Sequence, residues 1–279
     1  MSRNSLPIER RLPPPAPVRR AVLPAAGRGT RMRALAGALA KELLPVGGRP
    51  LIAHGLRDLA AAGVEEALVV VSPDKPELAR ALGSRFDGVA LTFVEQKEPL
   101  GVGDAIALAE PFAAGEPFFC WLPDNLWSGA GAGAPSASAQ LAAARARRPD
   151  ATFVGLIELP PAELARYGSA GFVETSRLDG DPGAVRIDRV LPKGSKPTAT
   201  APLLKGFPLD LYQPDVFDRI RRERAALRAA AAARELDDTP ILAELAREGR
   251  LVGVVLRDGR LFDCGIPEGY RGAVAALGG

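Results

Sequence analysis

The chain has 279 residues, of which 47% are hydrophobic and 25% are charged, and its formal net charge is +3. This is an ordinary globular composition, and the length allows one large domain or two small ones. Nucleic-acid-binding proteins interleave clustered cations with aromatic residues, whereas aromatics make up only 5% of this chain. No uncharged apolar run reaches the roughly 18 residues of a membrane span. We therefore expect neither nucleic acid nor a membrane as a partner.

Proline and arginine are frequent at the start of the chain. Residues 1–19 contain no apolar run of the kind found in signal peptides, so we expect a disordered leader there. Residues 20–279 show no linker-like break, which predicts a single domain. Cys120 and Cys264 lie in apolar stretches and lack the CxxC spacing of a zinc site. Buried, reduced thiols are typical of a cytoplasmic protein, and we expect that location.

Strand and helix patterns alternate from Arg20 onward. This alternation predicts an α/β fold with a mixed, mostly parallel central sheet flanked by helices. A further helix is expected to be capped by Asp104 and to run to Leu108. The other elements expected before residue 130 are strands at 20–23, 67–71, 89–94 and 118–122 and helices at 50–62 and 76–82.

The second half of the chain continues the alternation. We expect three of its strands to form a small second sheet region, and the Ala/Arg-rich helix to lie on the surface. Those three strands are 172–174, 186–191 and 204–208. The remaining predictions are strands at 151–157, 251–256 and 261–262 and helices at 138–147, 216–235 (the Ala/Arg-rich one), 239–247 and 267–277.

A glycine-rich loop follows the first predicted strand. Residues 27–32 read GRGTRM, and backbone N–H groups in such a loop bind phosphate. Arg28, Arg31 and Lys41 add positive charge, so an anionic ligand such as a nucleoside triphosphate fits. No Walker string G-x-x-x-x-G-K-[ST] occurs in the chain. A dinucleotide fingerprint is also excluded, because its third glycine would fall on Met32.

Six segments resemble, in order, those of the sugar-nucleotide pyrophosphorylases, and most of all the bacterial UTP–glucose-1-phosphate uridylyltransferases. They are GRGTRM at 27–32 with KELLP at 41–45, the helix 55–63, Gln96 with PLGVGDA at 99–105, LPDN at 122–125, Tyr167 with Gly168, and FDCG at 262–265 with Gly269 and Tyr270. The resemblance implies a Rossmann-like nucleotidyltransferase fold whose second sheet region covers a sugar. It also implies a nucleoside triphosphate and a sugar 1-phosphate as partners, and a homo-oligomer.

The reaction implied by the resemblance is nucleotidyl transfer, most simply from UTP to glucose 1-phosphate, giving UDP-glucose and pyrophosphate. The attacking sugar-phosphate oxygen is already an anion, so the site needs cations and a metal rather than a general base. The resemblance makes Arg31 and Lys41 catalytic. It also makes Asp124 and Asp263 the ligands of Mg²⁺, a cation that prefers carboxylate and phosphate oxygens. We expect His54, inside a predicted helix, to be structural.

The base-binding part rests on Gln96, whose amide can pair with both a donor and an acceptor of a pyrimidine. Gly101 and Gly103 would let the base approach the backbone. Asp104 stands where uridylyltransferases often have histidine, which leaves UTP and dTTP both open. The residues that the resemblance assigns to the nucleotide are Leu23, Ala25, Ala26, Gly27, Arg28, Gly29, Thr30, Gln96, Gly101 and Asp124.

The sugar side departs from the family pattern. The family's V-E-K-P run matches V-L-P-K at 190–193, so Leu191 replaces the glutamate and the lysine is displaced by one position. Gly168 and Lys193 are the expected sugar-phosphate contacts, with Lys196 as a second candidate. The sugar therefore stays open, and so do two alternatives. One is a thymidylyltransferase with a different sugar, and the other is a catalytically weak paralogue that binds nucleotide or sugar nucleotide as a regulatory subunit.

Overall fold

The computed structural model describes residues 16–131, 133–166, 171–195, 202–230 and 234–278. The strands are β1 (Arg20–Pro24), β2 (Pro45–Val46), β3 (Arg49–Pro50), β4 (Glu66–Val71), β5 (Arg85–Phe86), β6 (Val89–Glu95), β7 (Phe118–Trp121), β8 (Asn125–Gly129), β9 (Thr152–Leu159), β10 (Val173–Arg177), β11 (Ala184–Val190), β12 (Leu203–Tyr212), β13 (Leu251–Val255) and β14 (Gly259–Asp263). The helices are α1 (Arg33–Ala36), α2 (Leu51–Ala61), α3 (Pro76–Leu82), α4 (Val102–Ala107), α5 (Glu110–Ala113), α6 (Ala137–Arg145), α7 (Val216–Ala229), α8 (Thr239–Arg247) and α9 (Pro267–Leu277). Short 3₁₀ turns occupy Thr30–Met32, Lys41–Leu43 and Pro161–Arg166.

One ten-stranded sheet runs through the molecule in the order β10-β11-β13-β9-β12-β7-β1-β4-β6-β5. Strands β7, β1, β4 and β6 are parallel, whereas β12 is antiparallel to both β7 and β9. The predicted α/β fold with a mixed central sheet is thus confirmed. The strands expected in a second sheet region are β10, β11 and β12, and the structure places all three within this one sheet.

Helices cover both faces of the sheet because its buried strands are apolar on both sides. In β1, Ala21 and Leu23 belong to one core cluster and Val22 to the other, as the alternation of side chains along a strand requires. Helices α2 and α6 pack in the first cluster, and α4, α7 and α8 pack in the second. Both cysteines are buried and free, as expected.

The carboxyl ends of the parallel strands meet at one edge, where ligands of open α/β sheets bind. The loop after β1, Gln96 after β6 and Asp124 after β7 all emerge there. A separate two-stranded ribbon of β8 and β14 pairs Asn125 with Asp263, which brings a second aspartate to the same edge. The sheet topology therefore positions the predicted site.

Two element predictions need correction. Asp104 does not cap its helix, because α4 begins at Val102 with Gly101 at the N-cap, where φ is 105°. Helix α7 ends at Ala229, six residues before the predicted end. Leu236, beyond the predicted end, is buried, and its backbone N–H donates to Leu100 O at 2.7 Å. Burial of the Leu236 side chain stabilises the fold more than a further turn of exposed Ala/Arg helix would.

Three further predictions concern a membrane span, His54 and the start of the chain. Among the described residues, no helix is long and apolar enough to cross a membrane. His54 is half-buried and its Nε2 lies 2.9 Å from Val46 O, while burial lowers the pKa of its ring, so a structural role fits. Residues 1–15 lie outside the described chain and the leader stays a prediction, although Val18 already packs into the core.

Candidate active site

A cavity of about 610 Å³ opens at the carboxyl edge of the sheet. It brings together most of the predicted nucleotide and catalytic residues. Those that line it are Ala26, Gly27, Arg28, Gly29, Thr30, Arg31, Lys41, Gln96, Gly101 and Asp124. Leu23 and Ala25 do not line it, because both are fully buried beneath the loop.

The glycine-rich loop is shaped by Gly29 and Lys41. Gly29 has a positive φ of 61°, and a Cβ there would lie 3.3 Å from Lys41 Cδ. Glycine adopts this backbone conformation without steric cost and leaves room for the lysine. Arg31 follows as an exposed residue of the 3₁₀ turn Thr30–Met32. Arg28 and Arg31 of the loop, together with Lys41, thus present three cations to one cavity.

The two aspartates converge on Gly265. A Cβ on this glycine would lie 2.9 Å from Asp124 Oδ2 and 3.1 Å from Asp263 Oδ1. The Gly265 N–H donates to Asp263 Oδ1 at 3.1 Å and so fixes that carboxylate. A side chain at position 265 would enter the space between the two carboxylates, which explains the glycine.

Lys41 and Asp124 form an ion pair, with Nζ donating to Asp124 Oδ2. Burial alone would lower the pKa of Lys41, but the charges of Asp124 and Glu42 raise it above its ordinary value. Burial would likewise raise the pKa of Asp124, and Lys41 and Arg31 hold it below the usual range. Burial, together with the charge of Asp124, raises the pKa of Asp263. Negative charge at Asp263 is therefore incompletely compensated by the protein's own cations.

This donor set fits a hard divalent cation. Among the described residues, no group of three or more His, Cys, Asp or Glu side chains could hold a metal by itself. Mg²⁺ needs no such cage, since it commonly binds one or two carboxylates and completes its shell with water and substrate phosphates. Asp124 and Asp263, converging beside the cationic loop, match that requirement.

A buried ion pair beneath the loop was not predicted. Lys75 Nζ donates to Ala25 O at 2.7 Å, to Gly27 O at 2.6 Å and to both carboxylate oxygens of Glu42 at 3.0 Å. Glu42 is 1% exposed, and burial raises its pKa although Lys75 lowers it. Lys75 thus ties two loop carbonyls to the turn that carries Lys41. No sequence signal marked Lys75, which lies 33 positions from its carboxylate partner.

The base side differs from the prediction. Gln96 is 7% exposed, and its Nε2 donates to Gly101 O at 3.0 Å and to Asp104 Oδ2 at 2.9 Å. Both amide protons are therefore used within the protein, so the prediction that this amide offers a donor as well as an acceptor was wrong. The amide oxygen is what it can present to a ligand.

Gly101 and Gly103 have a further reason to be glycine. A Cβ on Gly101 would lie 2.5 Å from Leu236 O, and one on Gly103 would lie 2.9 Å from the same oxygen. The Gly103 N–H donates to Leu236 O at 2.8 Å. The protein's own backbone therefore requires both glycines, independently of any base, although Gly101 also lines the cavity.

On the sugar side, the structure does not bring Lys193 to Asp124 and Asp263, the two predicted metal ligands. Lys193 forms an ion pair with Asp237, next to Leu236, and does not line the cavity. Leu191 is half-buried against the core, and its N–H donates to Phe172 O at 2.9 Å. Gly168 and Lys196 lie outside the described residues.

Lys205, which no motif indicated, lies on the ligand edge. Leu122, the residue after β7, donates its N–H to Pro208 O at 3.0 Å. Residues 203–207 of β12 run past the end of β7 and pair with β9, with Lys205 opposite Ile157. At ~3.3 Å per residue, Lys205 lies roughly 10 Å beyond the end of β7.

The face of β12 that carries Lys205 is the one covered by the β8–β14 ribbon. Phe207, two residues further along β12, is on the same face by alternation, and its ring centroid lies 6.0 Å from that of Trp127 in β8. Strand β14 ends at Asp263. Burial lowers the pKa of Lys205 while Asp263 raises it, and Lys205 in turn lowers the pKa of Asp263. Lys205 Nζ also lies 5.0 Å from the centroid of the Phe172 ring.

Comparison with known proteins finds relatives that match most of the chain. The UTP--glucose-1-phosphate uridylyltransferase of Streptococcus pyogenes is 28% identical over 227 residues, covering 74% of this chain and 73% of the relative. The enzyme of the same name from Streptococcus pneumoniae serotype 4 is 26% identical over 274 residues, covering 91% of this chain and 88% of the relative. The crystal structure of a UDP-glucose pyrophosphorylase complexed with UDP-glucose has a TM-score of 0.77 at 24% identity, covering 93% of this chain and 98% of that one.

The family itself follows from a match that spans the domain. Residues 20–273 match the model of the nucleotidyl transferase family. This range contains the glycine-rich loop, Lys41 and both aspartates, the groups that the cavity and its rim bring together. The chain therefore belongs to the nucleotidyl transferase family.

Proposed function

We propose that this enzyme transfers a uridylyl group from UTP to glucose 1-phosphate, giving UDP-glucose and pyrophosphate. The observation that carries the proposal is the convergence of Arg31 and Lys41 with Asp124 and Asp263 at one edge of the sheet. Two polyanions can react there only if their charges are neutralised and their phosphates are held together. The names of the relatives support UTP and glucose 1-phosphate as the pair of substrates.

Each cation has a distinct task in this proposal. Arg31 binds the β- and γ-phosphates with its planar guanidinium, for which a bidentate contact is favourable. Lys41 neutralises the α-phosphate and the leaving oxygen as a point charge. Backbone N–H groups of the loop orient the triphosphate, and Lys75 holds the loop carbonyls away from it. Lys205, rather than Lys193, neutralises the sugar phosphate.

Asp124 and Asp263 would hold Mg²⁺. A bound Mg²⁺ supplies charge neutralisation on the transferring phosphoryl group and its leaving group. The support is chemical, namely two carboxylates that converge on Gly265 beside a phosphate-binding loop. We also infer a homo-oligomer in the cytoplasm, a location that the two free, buried cysteines support.

Release of pyrophosphate from UTP plus glucose 1-phosphate, with and without Mg²⁺, tests the proposal. UTP, dTTP, CTP and ATP should each be combined with several hexose 1-phosphates, because Leu191 leaves the sugar open. We expect turnover with UTP and glucose 1-phosphate that chelation of Mg²⁺ abolishes. Faster turnover with dTTP would make the enzyme a thymidylyltransferase. UTP binding without turnover on any sugar phosphate would instead support the regulatory paralogue.

A further inference from the structure

The contacts around Gln96 assign a role to Asp104 and Arg224. Gln96 follows β6, and its backbone N–H donates to Val71 O at 2.8 Å, which fixes the position of the residue. Asp104, in the first turn of α4, accepts from Gln96 Nε2 through Oδ2. Its other oxygen accepts from Arg224 of α7 at 2.7 Å. A chain of polar contacts thus runs from the surface of α7 to the wall of the cavity.

These contacts allow one orientation of the Gln96 amide. If the amide were turned over, its oxygen would face the carbonyl of Gly101 and the carboxylate of Asp104, both of which are acceptors. Two contacts between acceptors in a nearly buried position strongly disfavour that orientation, because neither pair can form a hydrogen bond. Asp104 is itself held by Arg224, so turning its carboxylate away would break this ion pair. Among the hydrogen bonds of the described residues, none uses the amide oxygen of Gln96.

We propose that Asp104 and Arg224 are positioning residues that make this enzyme select, among pyrimidine nucleotides, those whose base carries an imide N–H. With both amide protons committed, Gln96 presents only an acceptor to the base. Uracil and thymine offer N3–H to such an acceptor, whereas N3 of cytosine is itself an acceptor and has no proton. The proposal rests on the proposed function and concerns the nucleotide that the site selects.

The size of the effect follows from the chemistry of a nearly buried acceptor. A site that is built to hydrogen-bond an N–H rejects an analogue that lacks it by more than a difference in packing would. For this chain we expect UTP to be preferred over CTP by at least about 100-fold in affinity. We expect dTTP to be preferred over CTP in the same way, since the 5-methyl group of thymine does not alter N3–H.

Asp104→Asn is the direct test. Asparagine can donate from Nδ2 to the oxygen of Gln96, so a turned amide keeps one unfavourable contact, with Gly101 O, instead of two. The turned amide then presents its NH₂ to N3 of cytosine. We expect the UTP-to-CTP ratio of affinities, measured by calorimetric titration in Mg²⁺, to fall at least about tenfold through tighter binding of CTP. A purely structural role for Asp104 would weaken both nucleotides equally and leave the ratio unchanged.

Arg224→Met provides a second variant if Asp104→Asn does not fold. It leaves Asp104 in place but removes the cation that holds it, so we expect the UTP-to-CTP ratio of affinities to fall about 3- to 10-fold. Arg224→Lys should restore the ratio. Arg222→Met is the matched control, since Arg222 is an exposed arginine of the same helix that pairs with Glu244. That variant should keep the wild-type ratio.

Two results would overturn the proposal. One is a wild-type protein that binds UTP and CTP equally. The other is an Asp104→Asn variant that is folded, by circular dichroism, and keeps the wild-type ratio. Failure of the proposed function looks different, since the wild type would then bind neither nucleotide in Mg²⁺, and the inference would fall with it. Turnover that requires UTP but is insensitive to Asp104→Asn would reject the inference alone.

Discussion

The phosphate region and the β12 region meet at the same edge of the sheet but treat buried charge differently. The phosphate region comprises the loop after β1, Lys41, Glu42, Lys75 and the two aspartates Asp124 and Asp263. Its buried carboxylate Glu42 pairs with Lys75, and Asp124 pairs with Lys41. The β12 region comprises β12 with the segment 234–238, and it buries Asp210 and Asp238 around the hydroxyl of Tyr212.

The contrast shows in the carboxylic acids. Lys41 holds the pKa of Asp124 below its ordinary value despite burial. Burial raises the pKa of Asp210 well above its ordinary value, and burial together with Asp237 raises that of Asp238 to about 7. In the phosphate region cations therefore oppose the effect of burial, and they prevail at Asp124, whereas burial still raises the pKa of Glu42 and Asp263. The β12 region gains stability when its acids are protonated.

The largest expected effect breaks the phosphate region at its reacting centre. Asp124→Asn and Asp263→Asn should each lower kcat by at least about 100- to 1000-fold, because charge developing on the phosphates loses its stabilisation. Their effects on stability should differ. Asp124→Asn deprives the nearly buried Lys41 of its partner and should lower the Tm without ligand, whereas Asp263→Asn removes a repulsion and should keep or raise it. Steady-state rates and thermal unfolding in EDTA measure both, and wild-type turnover in either variant would remove that residue from the site.

The next effect tests whether Lys75 anchors the loop. Lys75→Met leaves the buried Glu42 with only Lys41, whose Nζ lies 4.0 Å from Glu42 Oε1. The variant should lower the free energy of unfolding by about 3 kcal/mol, the lower end expected for breaking a buried pair. UTP affinity should fall as well, since the carbonyls of Ala25 and Gly27 lose their donor. Arg80→Met, which removes an exposed cation from α3, the helix that follows Lys75, is the control and should change stability by less than about 0.5 kcal/mol.

A Lys75→Met/Glu42→Gln double variant sharpens this result. If the pair acts as a unit, the double variant should be less destabilised than the sum of the two single variants, by about 1–3 kcal/mol in denaturant unfolding. Additive effects would show that the two side chains contribute independently and would reject the anchoring role.

A smaller effect tests the sugar side. Lys205→Met should raise the KM for glucose 1-phosphate about 10- to 100-fold, the worth of a hydrogen bond to a charged group, while the KM for UTP changes little. Arg177→Met removes an exposed cation of β10 and should change neither constant. If Lys193→Met raises the KM for the sugar phosphate and Lys205→Met does not, the displaced lysine of the family motif holds the phosphate after all.

The smallest effect concerns pH and the β12 region. Since the pKa of Asp238 in the folded protein is about 7 and lies above its ordinary value, its contribution to stability is complete below about pH 4 and is lost as the pH rises to about 7. Asp238→Asn should therefore match the wild-type Tm near pH 4.5 and exceed it at pH 8 by roughly 2–4 °C.

The partner of Asp238 titrates in a different window. Burial would raise the pKa of Asp237, but Asp238 and Lys193 hold it at about 2, so its stabilising contribution is lost only as the pH falls below about 4. Asp237→Asn should thus lower the Tm at pH 8 and act opposite to Asp238→Asn. Equal Tm differences for Asp238→Asn at pH 4.5 and pH 8 would contradict the raised pKa.

Local sequence determined the loop, Arg31 and Lys41 of the phosphate region. The loop, Arg31 and Lys41 lie within 15 positions of one another, next to the strand Arg20–Pro24, whose apolar run fixes it in the sheet. Asp124 also follows a buried strand, and the carboxyl ends of parallel strands share an edge. Residue type, spacing and strand order were sufficient there, because the loop and Asp124 follow the adjacent strands β1 and β7.

Only the tertiary structure decided the rest, because the partners there are distant in sequence. Lys75 reaches Glu42 across 33 positions, and Arg224 reaches Asp104 across 120. No local periodicity records such pairs, and each depends on which helix packs against which loop. The length and register of β12 place Lys205 at the ligand edge. Lys193, which the family motif indicated, instead forms an ion pair with Asp237. A sequence specifies the chemistry that its loops carry, but the orientation of a side chain such as Gln96 is fixed by the neighbours that folding brings to it.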